Sequence, residues 1–508
     1  MDVDSDDDEE NDLSLQQPID IPVELCEVSL EDESPKELPS DTRSFEINFE
    51  LIDDSSKRGK QKLIDNSGFS YNIKYKGKKS TEWQCTKRPK LNPCRATVKD
   101  MYDGTYTIGN ISHNHAPETG AAQVAKITTA AKKQAVDNLF KPAAQIVDEI
   151  LMKELNDDRP CPHIPKPGNI ARQANRKRQK IRPADPTNLE FELDCDNIPK
   201  EFLRGDVRVN NHRHLIFATN EQLAILSRAK NWYVDATFKL CREPFKQLFT
   251  INAFVRHEDY SKQVPLVYII MSGRKKRHYV QVLQEVVNVL PEAPEVKKVV
   301  MDFEKALWKA FPLVFPNVSL MGCAFHWSQS VWRKIQDLGL VCAFNEDQGT
   351  HKFLKKLLAL PYIPDDKIYE VFMRLQGNAT TNALRQLMDY INKTWVETTT
   401  WPPSTWSVYG MSVRTNNDVE GWHNRLNRRA MGKAQLPLYM LIKLLHEESL
   451  LTKIYVRLVS EKKLKRIQRS KYSSLQRHIF DLWESYADRE RNATQLLRAC
   501  AHVATRQI

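Results

Sequence analysis

Two aspartates in this chain stand inside runs that otherwise suit buried strands. Asp235 lies in Val234-Asp235-Ala236-Thr237-Phe238, and Asp302 in Val300-Met301-Asp302-Phe303-Glu304-Lys305-Ala306. A carboxylate in such a setting is costly to bury unless it is paired or holds a metal. Two of them are hard to explain as structure alone, so the fold has to be one that brings strand-borne acids to a site.

The surrounding pattern defines that fold. Strand-like runs occur at residues 232–238, 248–255, 265–271, 296–303 and 318–326. Between the third and fourth, Leu283, Val286, Val287 and Leu290 fall at i, i+3, i+4 and i+7 and predict a helix over about 278–290. Further helices are expected at 304–311 and 328–338. The order is three strands, helix, strand, helix, strand, helix, an α/β core placed at 231–430. Residues 350–400 read as a helical insertion, with Phe353, Leu354, Leu357 and Leu358 as one apolar stripe and Leu384, Leu387, Met388 and Ile391 as another. Such stripes are core. Helices at about 418–429, 436–459 and 473–503 follow, the last two forming a C-terminal helical region at 431–508.

A third acid, Glu420, stands in Arg414-Thr415-Asn416-Asn417-Asp418-Val419-Glu420-Gly421-Trp422-His423. Three carboxylates of this kind suit two-metal phosphoryl transfer, in which two Mg2+ or Mn2+ ions about 4 Å apart serve the attacking and leaving oxygens. Asp235 is expected to bridge both ions, Asp302 to hold one and Glu420 the other.

Upstream, residues 45–115 alternate in short runs bounded by Gly68, Gly77, Gly104 and Gly109, the mark of a small β module. Within it Cys85, Cys94, His113 and His115 are spaced C-x8-C-x18-H-x-H. Two thiolates and two imidazoles are the ligands that tetrahedral structural zinc prefers, and so small a module needs such a staple. The alternative is four unrelated buried Cys and surface His. Lys74, Lys76, Lys78, Lys79, Lys87, Arg88 and Lys90, beside Tyr75 and Trp83, favour nucleic acid as the module's partner.

Charge separates the remaining parts. Residues 1–54 hold 20 Asp and Glu against Lys36 and Arg43, a balance of −18; with +10 for the whole chain, the rest sums to +28. Residues 1–44 are expected to be a disordered acidic tail with an unidentified protein partner. The basic body suits DNA. Helices are expected across 121–182, ending in a stretch with Arg172, Arg176, Lys177, Arg178 and Lys180. Three helices ending in a basic one suit a helix-turn-helix DNA reader, but a charge run is more often a solvated face or a nuclear import signal. Nine scattered cysteines argue against a disulfide framework, and no run of about 18 apolar residues suggests a membrane span. The nucleus is the expected compartment.

These residues carry two resemblances. The Cys/His spacing, with Tyr71-Asn72-Ile73-Lys74-Tyr75 and Trp83 before it, resembles the FLYWCH zinc finger. The order of elements and the three acidic motifs over about 231–430 resemble the transposase domain of Mutator-like elements, the MULE family, and the two modules are a known pairing. That family also carries Cys-x2-His after the fifth strand, matched by Cys323 and His326, a His three residues after the Glu, matched by His423, and Thr-Asn-Asn before it, matched by Thr415, Asn416 and Asn417. Cys323, His326 and His423 are therefore accessory candidates, whether they bind zinc, support the acidic site or merely pack.

The resemblance implies a multidomain α+β protein with an RNase H-like core and a DDE transposase that cuts and joins DNA, acting as a homo-oligomer. Many relatives carry a second Cys/His-rich module near the C-terminus, of which only Cys500 and His502 remain here. The other readings are a domesticated transposase serving as a zinc-finger transcription or chromatin regulator and, more distantly, a structural interaction module that no longer cleaves.

Overall fold

The computed structural model describes residues 47–55, 59–155, 161–412, 417–430, 434–465 and 470–504. The expected acidic tail, Thr415 and Asn416 lie outside them. The chain divides into two compact units, the first running to Ala122 and the second starting at Gln123.

In the first unit, β1 (Phe49–Ile52), β2 (Lys62–Asp65), β3 (Ser70–Lys76), β4 (Thr81–Cys85), β5 (Thr97–Asp100) and β6 (Tyr106–Ile108) form one antiparallel sheet in sequence order. Its core is small: Leu63, Tyr71, Trp83, Cys85, Cys94, Ala96 and Val98. Gly68, at φ +105°, is required, because a Cβ there would lie 2.3 Å from the Glu118 carbonyl oxygen.

The second unit opens with α1 (Ala121–Asp137), α2 (Ala143–Glu154) and α3 (Pro167–Gln179). Ile127, Ala131, Ala135, Ile146, Val147, Ile150, Ile170 and Ala174 give these helices a core of their own. Leu155–Lys166 separates α2 from α3, far longer than the three- or four-residue turn of a helix-turn-helix, so the expected motif is corrected to a three-helix module.

A seven-stranded sheet follows, built from β7 (Leu203–Val209), β8 (His212–Phe217), β9 (Asn231–Thr237), β10 (Gln247–His257), β11 (Tyr260–Met271), β12 (Lys298–Met301) and β13 (Ser319–Gly322). The spatial order is β13-β12-β9-β10-β11-β8-β7. β9, β10 and β11 pair antiparallel, whereas β12 runs parallel to both β9 and β13. β7 and β8, which the expected strands do not include, extend the sheet by a hairpin.

Helices α4 (Asn220–Arg228), α5 (Lys276–Val289) and α6 (Lys305–Val314) cover one face, and α12 (Asn417–Arg429) and α13 (Leu438–Ser460) the other; α7–α11 are described below. Strand periodicity sorts the central side chains between these layers. Phe249, Ile251, Val267 and Ile269 pack toward α5 and α6, while Leu248, Tyr268 and Ile270 pack with Trp422, Leu426, Leu441 and Leu445. Strands buried on both faces read as the near-continuous apolar runs seen in β10 and β11.

The expected insertion is helical. Over 350–400 lie α9 (Gln348–Leu358), α10 (Asp365–Gln376) and α11 (Asn382–Ile391), and α7 (Ala324–Asp337), the helix expected at 328–338, and α8 (Val341–Glu346) lead into them. Asp347 and Thr381 cap α9 and α11 by accepting from Thr350 N and Leu384 N. The single helix expected at 473–503 is two, α14 (Ser470–Ala487) and α15 (Ala493–Ala504), because Asn492 and Gln495 exchange side-chain-to-backbone hydrogen bonds that start a new helix. Ile479, Leu482, Trp483, Leu496 and Leu497 pack into the insertion's core with Trp327, Leu354 and Leu387.

Candidate functional site

In the first unit the donor atoms of Cys85, Cys94, His113 and His115 all lie within 4.8 Å of one another. The surroundings choose which nitrogen each imidazole offers. Tyr71 Oη donates to Asp65 Oδ2 at 3.0 Å, so at 2.9 Å from His113 Nε2 it must accept, which leaves the His113 Nδ1 lone pair facing Cys94 Sγ at 3.4 Å. His115 Nδ1 donates to the Ala116 carbonyl, which leaves Nε2 facing Cys85 Sγ at 3.2 Å. Asp65 is itself held by the Gly68 and Phe69 amides, and Phe69 stacks on His113 at 3.7 Å. Burial, with His115 beside it, pulls His113 below the usual histidine range, favouring the neutral ring that a metal needs. Two soft sulfurs and two oriented imidazole lone pairs fit zinc.

In the second unit two neighbouring strands bring two of the three expected carboxylates together. β12 pairs β9 with Lys298 opposite Asn231 and Val300 opposite Tyr233. Asp302 follows the last residue of β12 and lies near enough to Asp235 for the two carboxylates to repel. Tyr233, Val300 and Met321 pack against Val419 of α12, so the side chains of this parity face that helix. From it His423 Nδ1 comes to 3.5 Å from Asp235 Oδ2. His326 stands between the other two acids, its Nδ1 3.8 Å from Asp302 Oδ1 and its Nε2 3.9 Å from Glu420 Oε1. The strand expected over 318–326 ends at Gly322, and Cys323 precedes α7, so His326 is aimed from the first turn of a helix.

Crowding leaves its mark on these groups. Burial first, then Asp302 and Glu420, push the Asp235 carboxyl up to about 7 against the pull of His326. Burial and Asp302 likewise raise Glu420. Burial would depress His326, but Cys323, Asp302 and Asp235 outweigh it and hold the imidazole well above its ordinary range. His423 is driven down to about 4 by burial and by His326. Glu420 Oε1 and His423 Nε2 are buried without a hydrogen-bond partner among the described residues. Orphaned buried acceptors beside two further carboxylates fit a hard divalent cation such as Mg2+ or Mn2+.

Three supports were not visible as site residues in the sequence. Glu304, two residues beyond Asp302, accepts from Tyr279 Oη on both carboxylate oxygens at 2.9 Å, and Gln247 donates to that hydroxyl. Burial and Asp302 push Glu304 up to about 7. The Trp308 indole fixes the Asp302 carbonyl at 2.7 Å. On α13, Glu448 is 1% exposed and accepts from Trp422 Nε1 at 2.7 Å, Arg425 Nη2 at 2.6 Å and Arg429 Nη1, which clamps the helix bearing Glu420 and His423.

In the three-helix module the expected nucleic-acid residues separate. Arg172, Arg176, Lys177 and Lys180 are exposed, but Arg178 is 3% exposed, and its guanidinium holds the Lys141 carbonyl and Asn175 Oδ1. Arg178 is therefore corrected from a phosphate contact to a structural residue: it falls at i+8 from Ile170 and i+4 from Ala174, on the inward face.

These features define a protein with a Cys/His metal module and a separate α/β unit carrying a carboxylate–histidine cluster. Comparison with known families makes this specific. Residues 54–115 match the model of the FLYWCH zinc finger domain and residues 231–330 that of the MULE transposase domain. Together they support a transposase-like, DNA-binding protein that binds zinc through its finger. Asp235, Asp302, Cys323 and His326 lie inside the second match, and Glu420 and His423 beyond it. No curated protein matches the chain. Among the described residues no helix is long and apolar enough to cross a membrane.

Proposed function

We propose that this protein is a DDE-type DNA transposase whose residues 231–430 form an RNase H-like core interrupted by the helical insertion. Two features support the core: the strand order β13-β12-β9-β10-β11, and a single reversal of direction at β10. The observation that carries the activity is the convergence of Asp235, Asp302 and Glu420, from two parallel strands and a helix beyond the insertion, around His326.

In this reading Asp235, Asp302 and Glu420 would hold two Mg2+ or Mn2+ ions, which would supply activation of a water or 3′-hydroxyl and stabilisation of the leaving oxygen. The chain's own contribution is to hold the acids in place. The Phe303 amide donates to Asp302 Oδ1 at 2.6 Å and the Ala236 amide to Asp235 Oδ1 at 2.9 Å. His326, whose imidazole the acids hold protonated, stands between Asp302 and Glu420, and His423, which burial keeps neutral, stands beside Asp235. The finger and the basic residues of 121–182 bind DNA. A nuclear location, a homo-oligomeric assembly and a protein partner for residues 1–44 belong to the same proposal.

The test is Mg2+-dependent nicking and strand transfer on DNA ends by wild type and Asp302→Ala. Activity in wild type that the variant loses supports catalysis. Tight DNA binding with no cleavage by either favours the second reading, a domesticated transposase acting as a transcription or chromatin regulator.

A further inference from the structure

The burial of Arg178 sorts α3 into an inward and an outward side. Ile170, Ala174 and Arg178 face the module's core, and Arg182, just past the helix, donates to the Leu139 carbonyl. Two of the seven cations between Lys166 and Arg182 are thereby spent on holding the α1–α2 connection, and this stretch contains no acid. What remains outward is not an even coat of charge. At helical spacing the exposed stripe reads Arg172, Asn175, Arg176 and Gln179, with Gly168 at its start beside open space and Lys180 at its end. Asn175 Oδ1 is occupied by Arg178, so Arg172, Arg176 and Gln179 are the long side chains of this stripe, with Lys177 and Lys180 exposed beside it.

We infer that α3 enters the major groove of duplex DNA and reads base edges through Arg172, Arg176 and Gln179. This rests on the DNA-binding part of the function proposed above. Arginine pairs with both acceptors of guanine and glutamine with adenine, and the groove, about 12 Å wide, admits one helix. Thirteen residues give α3 a length of about 20 Å, enough to lay these three positions along successive bases. Five cations of this stretch stay exposed with no acid among them, which draws the helix to the duplex, and its outward stripe offers arginine and glutamine, side chains that pair with base edges as well as with phosphate. Lys180, beyond the stripe, supplies the sequence-independent phosphate contact.

The inference is tested with the full-length protein by selecting bound sequences from a random duplex pool, using wild type, Arg176→Lys, Arg172→Ala and Lys180→Ala. All three residues are exposed, and matching melting curves establish that the variants are folded. Wild type is expected to enrich a motif. Arg176→Lys keeps its charge but should lose the preference at one guanine by roughly 5- to 150-fold while binding random DNA about as well. Arg172→Ala should relax a neighbouring position, and Lys180→Ala should weaken all sequences alike. If every variant enriches the wild-type motif with unchanged base preferences, α3 does not read bases and the inference is wrong, although DNA binding stands. Wild type that binds DNA without enriching any motif overturns it equally. A protein that binds no DNA at all overturns the proposed function, and this inference with it.

Discussion

The Trp422 indole and the Glu448 carboxylate are joined by a 2.7 Å hydrogen bond across the α12–α13 interface, and Arg425 and Arg429 close on the same buried carboxylate. Glu420 and His423 sit on the same helix as these three donors, so the position of the third acid depends on a residue that itself touches no other member of the cluster. Replacing one partner of a buried ion pair is costly because the others keep their charge without an acceptor. Glu448→Ala is expected to lower the unfolding free energy by about 3 kcal/mol, and Glu448→Gln by about half as much, since the amide still accepts from the indole. Urea denaturation of the two variants checks this; equal losses would argue against a charge clamp.

The zinc finger offers a graded test. Cys94→Ser or removal of zinc should unfold residues 69–115, seen as collapse of their amide exchange protection. Tyr71→Phe keeps all four ligands but deletes the hydroxyl that links Asp65 to His113. Loss of such an outer partner typically weakens a metal site by about tenfold or more. Competition with a chromophoric chelator should report that loss with the fold retained in zinc.

Acid lability is expected from the histidine cluster formed by His212, His214 and His278. His214 is fully buried, neither ring nitrogen has a partner among the described residues, and the His278 ring lies 5.1 Å away. Burial, followed by the neighbouring histidines, drives His214 down to about 3 and His278 to about 4. Below the ordinary histidine pKa of about 6.5 the unfolded chain takes up protons that the folded chain refuses. This contribution to stability is therefore intact above pH 6.5 and is lost as pH falls toward 4 and then 3. Melting temperatures from pH 7 to 4 should drop less steeply for His214→Leu than for wild type; parallel curves would remove the histidine from the explanation.

Arg178 and Arg172 should part company on stability. Arg178→Ala removes bonds to Lys141 and Asn175 and should cost about 2 kcal/mol, whereas Arg172→Ala, on the exposed face, should stay within about 0.5 kcal/mol. Thermal melts of both variants decide the point.

Much of the fold was legible because its signals are local. Cys85, Cys94, His113 and His115 are close in sequence, and Asp235 and Asp302 stand out as acids among apolar neighbours. Glu420 was reachable only through its motif, since a whole helical insertion separates it from Asp302. The β7–β8 hairpin was missed although Asn210 and Asn211 mark its turn, with Asn210 at φ +52°; a polar pair flanked by Val209 and His212 gave too little alternation to register. Arg178 was misread because a run of cations reveals charge but not facing, which only its spacing from Ile170 and Ala174 discloses. Glu448, Tyr279 and Asp65 were invisible as site residues: each acts through a partner that the chain brings near only by folding.

The dependence of the insertion on α14 and α15 has a consequence for the newborn chain. Synthesis delivers Asp235 and Asp302 first, then the apolar surfaces of α7 to α11, then Glu420, and the anchor at Glu448 later still. Leu482, Trp483, Leu496 and Leu497 are needed to shut the core that Trp327 and Leu354 begin, so that region stays open until the last helices clear the ribosome. A message cut short after Lys465 encodes every carboxylate of the cluster, yet its product carries a greasy, half-closed lobe that chaperones and proteases would meet before DNA does.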